Sequence, residues 1–350
     1  MAKAFYQSVH YEPLRDRKVR RRPLPDIVTF SSAHPAARDV ILDYFDEMSV
    51  ERVGILHGEY VVHPCGVVMA DRRGVLTDVC MSLEDSWFAQ HLANEQTQPE
   101  MAGQIRSLVA NWDQLPVVVD PPVLCDPYRR NYFHFSLEMM PRRRYFADGE
   151  AAVIMSPDSL ELPFQRELTV RCLTGRRVLP LQGGVRVRDP ILAHDAMSEE
   201  GVRWLREVSG ISAQPGGRRI YIRRSARVTR YTPGGGLSET AGFQGLLRYF
   251  GFETVEFGAG EHGVAAQVAM LEGVGLILSA HGAALTNLAY LQPELNVVEI
   301  IGARTQSACF MHVAAMLGFR YHGIFSSAYD ARHDLIVDLD ELRDALHALA

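Results

Sequence analysis

Between residues 198 and 301, short apolar runs alternate with amphipathic segments about ten residues long, and no other feature restricts the fold as much. The spacing predicts helices over 198–208, 239–250, 264–271 and 283–291, and strands over 219–222, 253–257, 275–279 and 296–301. Strands separated by helices of that length cannot be joined by tight hairpins, so they lie parallel with helices covering both faces. Such an α/β domain binds ligands outside the carboxyl ends of its strands.

The first half has a different texture. β-Rich runs at 53–56, 60–62, 66–69 and 75–79 are broken by His57-Gly58, Pro64 and Arg72-Arg73-Gly74, the pattern of β-hairpins or a meander. A strand at 116–119, a helix over 131–146 and strands at 152–155 and 177–181 follow. Residues 1–25, Arg-rich and closed by Pro23 and Pro25, read as an arm. The expected organisation is therefore an arm at 1–25, an N-terminal domain at 26–200 and a C-terminal domain at 201–350, the pattern changing between residues 195 and 217.

Composition narrows the chemistry. A chain of 350 residues with 47% hydrophobic and 22% charged residues is globular and long enough for two domains. Its 36 basic residues are outnumbered by 42 acidic ones, a formal charge of −6, which argues against a nucleic-acid partner. All basic residues except Lys3 and Lys18 are arginine, so neither a Walker A loop nor a core Schiff-base lysine is available, while planar forks suited to phosphate abound. Cys65, Cys80, Cys125, Cys172 and Cys309 are odd in number, widely spaced and free of any Cys-x-x-Cys pair. Neither a disulfide framework nor a zinc knuckle is indicated, and a reducing, cytoplasmic compartment fits. The polar N-terminus lacks the apolar core of a secretory signal. The 21 uncharged residues between Glu272 and Glu294 include three glycines, His281, Thr286, Asn287 and Gln292, and read as strand, turn and buried helix rather than as a membrane span.

Several segments can carry chemistry. Gly258-Ala259-Gly260-Glu261-His262-Gly263 follows a predicted strand and opens a predicted helix, the context of a dinucleotide fingerprint. Glu261 would bring negative charge to a pyrophosphate, however, and positions 279–281 supply no acid for a ribose. A tight βα turn is the simpler reading. At the next junction the strand 275–279 runs into Ala280-His281-Gly282-Ala283, where helix amides and dipole favour a diphosphate, with His281, Thr286 and Asn287 as side-chain donors. Arg223 and Arg224 end the strand 219–222; alternation sends them to opposite faces, so at most one serves a given site. His134 sits among aromatics near a helix start. Asp338-Leu339-Asp340 reads as the start of a terminal helix rather than a metal site, and neither a Gly-x-Ser-x-Gly elbow nor a His-Glu-x-x-His zinc motif occurs.

In order, Asn131-Tyr-Phe-His134-Phe, Arg219-Ile-Tyr-Ile-Arg-Arg224-Ser-Ala-Arg-Val-Thr-Arg230, Gly251-Phe-Glu-Thr-Val-Glu256 running into Gln267, His281-Gly-Ala-Ala-Leu-Thr-Asn287, Val297-Val-Glu299-Ile and Val337-Asp-Leu-Asp-Glu-Leu resemble glycosyltransferase family 61 over roughly residues 130–345. The resemblance implies a GT-B-like enzyme of the capsular or surface polysaccharide type: two Rossmann-like domains facing a cleft, the N-terminal one with extra β-hairpins. It further implies inverting transfer from a nucleotide-sugar, a UDP-sugar, to a glycan or polysaccharide acceptor, without an obligatory metal or cofactor, in the cytoplasm or against the inner face of the membrane. Carried over by position, His281, Gly282, Ala283, Thr286 and Asn287 would meet the donor diphosphate and Arg224 and Arg230 would clamp it. Glu299 would contact the donor ribose, or else make a cap or core hydrogen bond. His134 is the candidate base, with Glu138, one helical turn on, as the second choice. An NAD-dependent oxidoreductase using Gly258–Gly263 and a non-catalytic sugar-nucleotide-binding protein are the alternatives.

Overall fold

The computed structural model describes residues 11–19, 28–30, 49–63, 67–69, 99–118, 122–123, 131–145, 152–155, 160–175, 177–180, 183–194, 197–224, 236–258, 260–302, 309–331 and 333–349. The chain divides into two compact units: Met1–Val19, Ser49–Glu161 and Leu168–Met197 form the first, and Arg20–Met48, Leu162–Glu167 and Ser198–Ala350 the second.

The second unit contains β1 (Val28–Phe30), α1 (Glu199–Ser209), β2 (Pro215–Ile222), α2 (Ala241–Tyr249), β3 (Phe252–Val255), α3 (Val264–Met270), β4 (Val274–Ala280), a 3₁₀ helix (Ala283–Tyr290), β5 (Asn296–Gly302), α4 (Cys309–Leu317), β6 (Arg320–Ser326) and α5 (Leu339–Leu349). The strands make one six-stranded sheet in the order β3-β2-β4-β5-β6-β1, parallel throughout. β4 (VGLILSA) and β5 (NVVEIIG) are almost continuously apolar and buried along nearly their whole length, as strands covered on both faces must be. Strand alternation sorts their side chains. Tyr221, Leu276, Leu278, Ala280, Val298, Ile300 and Ile324 pack against Phe243, Leu246 and Leu247 of α2 and Leu342 and Leu346 of α5. Ile277, Ser279, Val297, Glu299 and Tyr321 are buried on the other face, where α1, α4 and the 3₁₀ helix contact one another.

Every element predicted over 198–301 is present, its ends moved by a few residues. The segment predicted as an α-helix at 283–291 is instead 3₁₀, with Leu285 N–H donating to Gly282 at 2.9 Å and Leu291 N–H to Leu288 at 3.1 Å. Its last carbonyls accept from the guanidinium of Arg206 on α1: Nε to Ala289 at 3.1 Å and Nη2 to Leu291 at 2.7 Å. An arginine there also complements the negative end of the helix dipole.

In the first unit, Tyr11–Val19, inside the expected arm, is a strand paired antiparallel with Ser49–Leu56. Backbone pairing needs no apolar pattern, and the run YEPLRDRKV offers none to read. A second strand pair, Glu59–His63 with Val67–Met69, realises the expected hairpin; the strand predicted at 75–79 lies outside the described residues. Among the described residues this unit has two four-stranded mixed sheets and a two-stranded parallel one, and no counterpart of the six-stranded parallel sheet. The helix expected over 131–146 is a π turn at His134–Met139 followed by a 3₁₀ turn at Met140–Tyr145. Phe135, Leu137, Met139 and Met140 are buried, which anchors it in the core of its unit. Among the described residues no helix is long and apolar enough to cross a membrane.

Candidate active site

In the sheet order, the chain leaves β2 toward β3 on one side and returns as β4 on the other side of β2, then continues outward to β5 and β6. The connections from β2 and β4 diverge, so the crevice beyond their carboxyl ends is the ligand position of this topology. Ile222 pairs with Ser279 there, which brings Arg223 and Arg224 alongside the Ala280–Ala284 turn.

The two arginines separate as alternation requires. Arg223 makes a two-pronged contact with Glu239, Nε to Oε1 at 2.6 Å and Nη2 to Oε2 at 2.8 Å. The same carboxylate accepts from Tyr221 Oη and from Gln244 Nε2, so Arg223 is committed to a latch at the start of α2. Arg224 goes the other way. Its Nη1 lies where a Cβ on Gly282 would stand 3.9 Å from it, which places the guanidinium beside the turn after β4. Burial lowers the Arg224 pKa and the charge of Asp334 opposes that; a guanidinium stays cationic in either case. Arg230 lies outside the described residues.

Across the crevice, His281 is fixed by its backbone, its N–H donating to Ile300 at 2.9 Å, and by its ring, whose Nδ1 is 2.6 Å from Glu299 Oε1. The ring lies 5.2 Å from that of Phe310. Gly282 occupies the N-cap position of the 3₁₀ helix and brings no side-chain cap to its first amides, which lack intrahelical acceptors by construction. His281, Gly282 and Ala284 are partly exposed and Ala283 is exposed.

Three expected donor contacts change here. Thr286 and Asn287 are 0% exposed, because the second turn of the 3₁₀ helix packs inward. Asn287 Nδ2 donates to Gln267 Oε1 and to the Ala284 carbonyl, both at 3.0 Å, so its work is to hold the turn. Glu299 is 1% exposed and has both oxygens engaged, one by His281 and the other by Tyr321 Oη at 2.5 Å. That is the core hydrogen-bonding arrangement of the alternative reading. Burial, reinforced by Glu299, pushes the Tyr321 phenol well above its ordinary pKa and keeps it a donor.

A second histidine–carboxylate pair stands in the first unit: His134 Nδ1 is 2.6 Å from Glu138 Oε2, both side chains about 30% exposed. Phe133 packs edge-on to the imidazole at 5.2 Å. The Asn131 side chain accepts the Phe133 N–H at 2.9 Å and secures the entry to the π turn. Glu138 is thus the partner of His134 rather than a separate choice of base, and with Nδ1 so engaged, Nε2 is the nitrogen able to take a proton.

The dinucleotide alternative meets a physical obstacle. Glu167 Oε2 accepts the Ala265 N–H at 3.1 Å, and a Cβ on Gly263 would stand 2.5 Å from that oxygen. A carboxylate already fills the place where a pyrophosphate would sit. Gly258 and Gly260 have φ of 68° and 80°, so their glycines serve a tight turn, and Glu261 Oε2 closes over Gly258.

What fold and site define together is an open parallel α/β domain with a cation and a small-residue turn at its switch point. Residues 132–298 match the family model for Glycosyltransferase 61, which supports membership of that family. That family implies glycosyltransferase activity, with a sugar donor and an acceptor as partners. No curated protein matches the chain.

Proposed function

We propose that this glycosyltransferase moves a sugar from a UDP-sugar to a growing surface glycan or polysaccharide at the inner face of the membrane, with inversion and without a resident metal. The observation that carries the reading is the guanidinium of Arg224 beside Gly282 at the carboxyl edge of β2 and β4. A diphosphate held there receives the planar fork of Arg224 together with the first amides of the 3₁₀ helix at Gly282–Ala284. Those groups meet the charge that develops on the departing nucleotide, the task a divalent cation performs in other transferases.

Inversion is a single displacement. The acceptor hydroxyl gives its proton to Nε2 of His134 as its oxygen bonds to the anomeric carbon. The bond from that carbon to the β-phosphate oxygen breaks, and its electron pair leaves with UDP. Glu138, holding Nδ1–H, fixes the tautomer that makes Nε2 the acceptor. His134 is half-buried, with Phe133 edge-on to its ring and Glu138 on Nδ1, the orientation a base requires.

Calorimetry with UDP and a transfer assay, on wild type, Arg224→Ala and His134→Ala, test both halves. Arg224→Ala is expected to weaken UDP binding about 10- to 100-fold, the loss of a charge-assisted pair. His134→Ala is expected to keep UDP affinity while transfer falls at least about 100-fold, the usual worth of a general base. Equal transfer by His134→Ala would defeat the base assignment, and wild type that binds UDP but transfers nothing would make the chain a sugar-nucleotide-binding protein. Loss of transfer on adding a chelator would overturn the metal-free mechanism.

A further inference from the structure

The buried trio His281–Glu299–Tyr321 spans three adjacent structural pieces: the turn after β4, then β5, then β6. The Glu299 carboxylate, 1% exposed, receives Nδ1 of His281 on one oxygen at 2.6 Å and the Tyr321 hydroxyl on the other at 2.5 Å. Tyr321 is 0% exposed, and Val297 pairs with it in the β5–β6 register, which sets Glu299 and Tyr321 on the same face of the sheet. A buried carboxylate with no compensation is costly, so its two hydrogen bonds account for its presence in the core. Only the imidazole end of the trio reaches solvent, at 21% of its side chain. Glu299 and Tyr321 both follow residue 298, outside the segment matched by the family model, and the positioning role argued here differs from the ribose contact that the resemblance implies for Glu299.

We propose that Glu299 and Tyr321 are positioning residues for transfer: together they fix the His281 ring so that its Nε2–H is the donor left to meet the departing nucleotide phosphate. This rests on the donor site proposed above. For Nε2 to donate to that phosphate the ring must carry hydrogens on both nitrogens: Nδ1–H donates to Glu299, whose carboxylate balances the imidazolium and fixes the ring's orientation. Tyr321 satisfies the second carboxylate oxygen and stops Glu299 from rotating away. Because charge on the leaving phosphate grows only as the glycosidic bond breaks, a contact from Nε2 strengthens in the transition state and belongs to kcat rather than KM.

Two shape-conserving variants test this. Tyr321→Phe removes one hydroxyl from a packed ring, and Glu299→Gln keeps an acceptor for Nδ1–H while removing the charge. Both are expected to bind UDP within about threefold of wild type and to lose kcat about 10- to 100-fold with little change in donor KM, the scale of lost orienting partners. ¹⁵N spectra of the His281 ring give a second readout, in which UDP is expected to move the Nε2 resonance in wild type and less in both variants. Full kcat in both variants would overturn the inference. So would a His281 Nε2 resonance unmoved by UDP while Arg224 side-chain signals respond, and in that case the donor site itself would survive. If UDP moves neither, the donor site falls and this inference with it.

Discussion

Consecutive arginines at the end of β2 have opposite uses, and the reason is one step of strand alternation. Arg223 is tied into Glu239 and Arg224 faces Gly282, a division already legible in the residues Ile222-Arg223-Arg224 once a strand is placed there. Other site residues were not legible. Thr286 and Asn287 are polar residues after a ligand-type turn, and nothing in the local sequence says that the second turn of the 3₁₀ helix is packed inward. Glu299 looks like a ribose contact until β6 supplies Tyr321, a partner chosen by non-local register. Gly282 gives the sharpest residue-scale prediction. Its φ of 166° is extended, open to any residue, and an added Cβ would meet Arg224 Nη1 at 3.9 Å, ordinary contact. Gly282→Ala is therefore expected to leave stability within about 0.5 kcal/mol of wild type, as for a tolerated partly exposed site. The same methyl group narrows the gap between the turn and the guanidinium, so UDP is expected to bind about tenfold more weakly, or ~1.4 kcal/mol. Unchanged affinity in calorimetry, with the fold intact by thermal melting, would remove Gly282 from the donor site.

At the scale of elements, periodicity located the strands and helices of the second unit because burial on both faces leaves a dense apolar record in β4 and β5. It missed Tyr11–Val19 and Val28–Phe30, which join their sheets through backbone pairing, and the π turn at His134, whose wider hydrogen-bonding pattern has no apolar signature of its own. Nor does it reveal how closely two backbones approach. At the start of the sheet a Cβ on Gly275 would stand 2.2 Å from the Gly216 carbonyl oxygen, and one on Gly216 would stand 2.5 Å from the Gly273 oxygen. Those neighbours are backbone and cannot step aside as a side-chain tip can. Gly275→Ala is expected to destabilise the protein by about 1–3 kcal/mol, the range for forcing extra atoms into packed structure. Gly245, inside α2 with no atom within 4 Å of an added Cβ, is the internal contrast. There the same substitution is expected to stabilise by about 0.5–1 kcal/mol through helix propensity. Urea melts with equal m-values and midpoints shifted in opposite directions would bear this out, whereas a downward shift for Gly245→Ala would mean that α2 does not control stability there.

For the whole molecule, the chain is interleaved in a way that no linear boundary describes: Arg20–Met48 and Leu162–Glu167 cluster with residues that begin at Ser198. The change of sequence texture near residue 200 marks where the parallel sheet begins in earnest, but β1, its sixth strand, is contributed from far upstream, which composition cannot register. This arrangement sets up a test of where the donor is held. A ligand bound only by the native second unit stabilises that unit by RT ln(1 + [L]/Kd), about 2.7 kcal/mol at a hundredfold excess over Kd. Amide exchange in β2, β4 and the 3₁₀ helix is then expected to slow by up to about 100-fold when UDP is added, because those amides open through unfolding of the unit that carries the site. Strand Val185–Arg188 of the first unit serves as the reference and is expected to exchange at an unchanged rate. Protection confined to the first unit would refute the placement of the diphosphate at Arg224 and Gly282. Equal protection in both would show that the nucleotide depends on both units, and the donor assignment would have to include residues of the first.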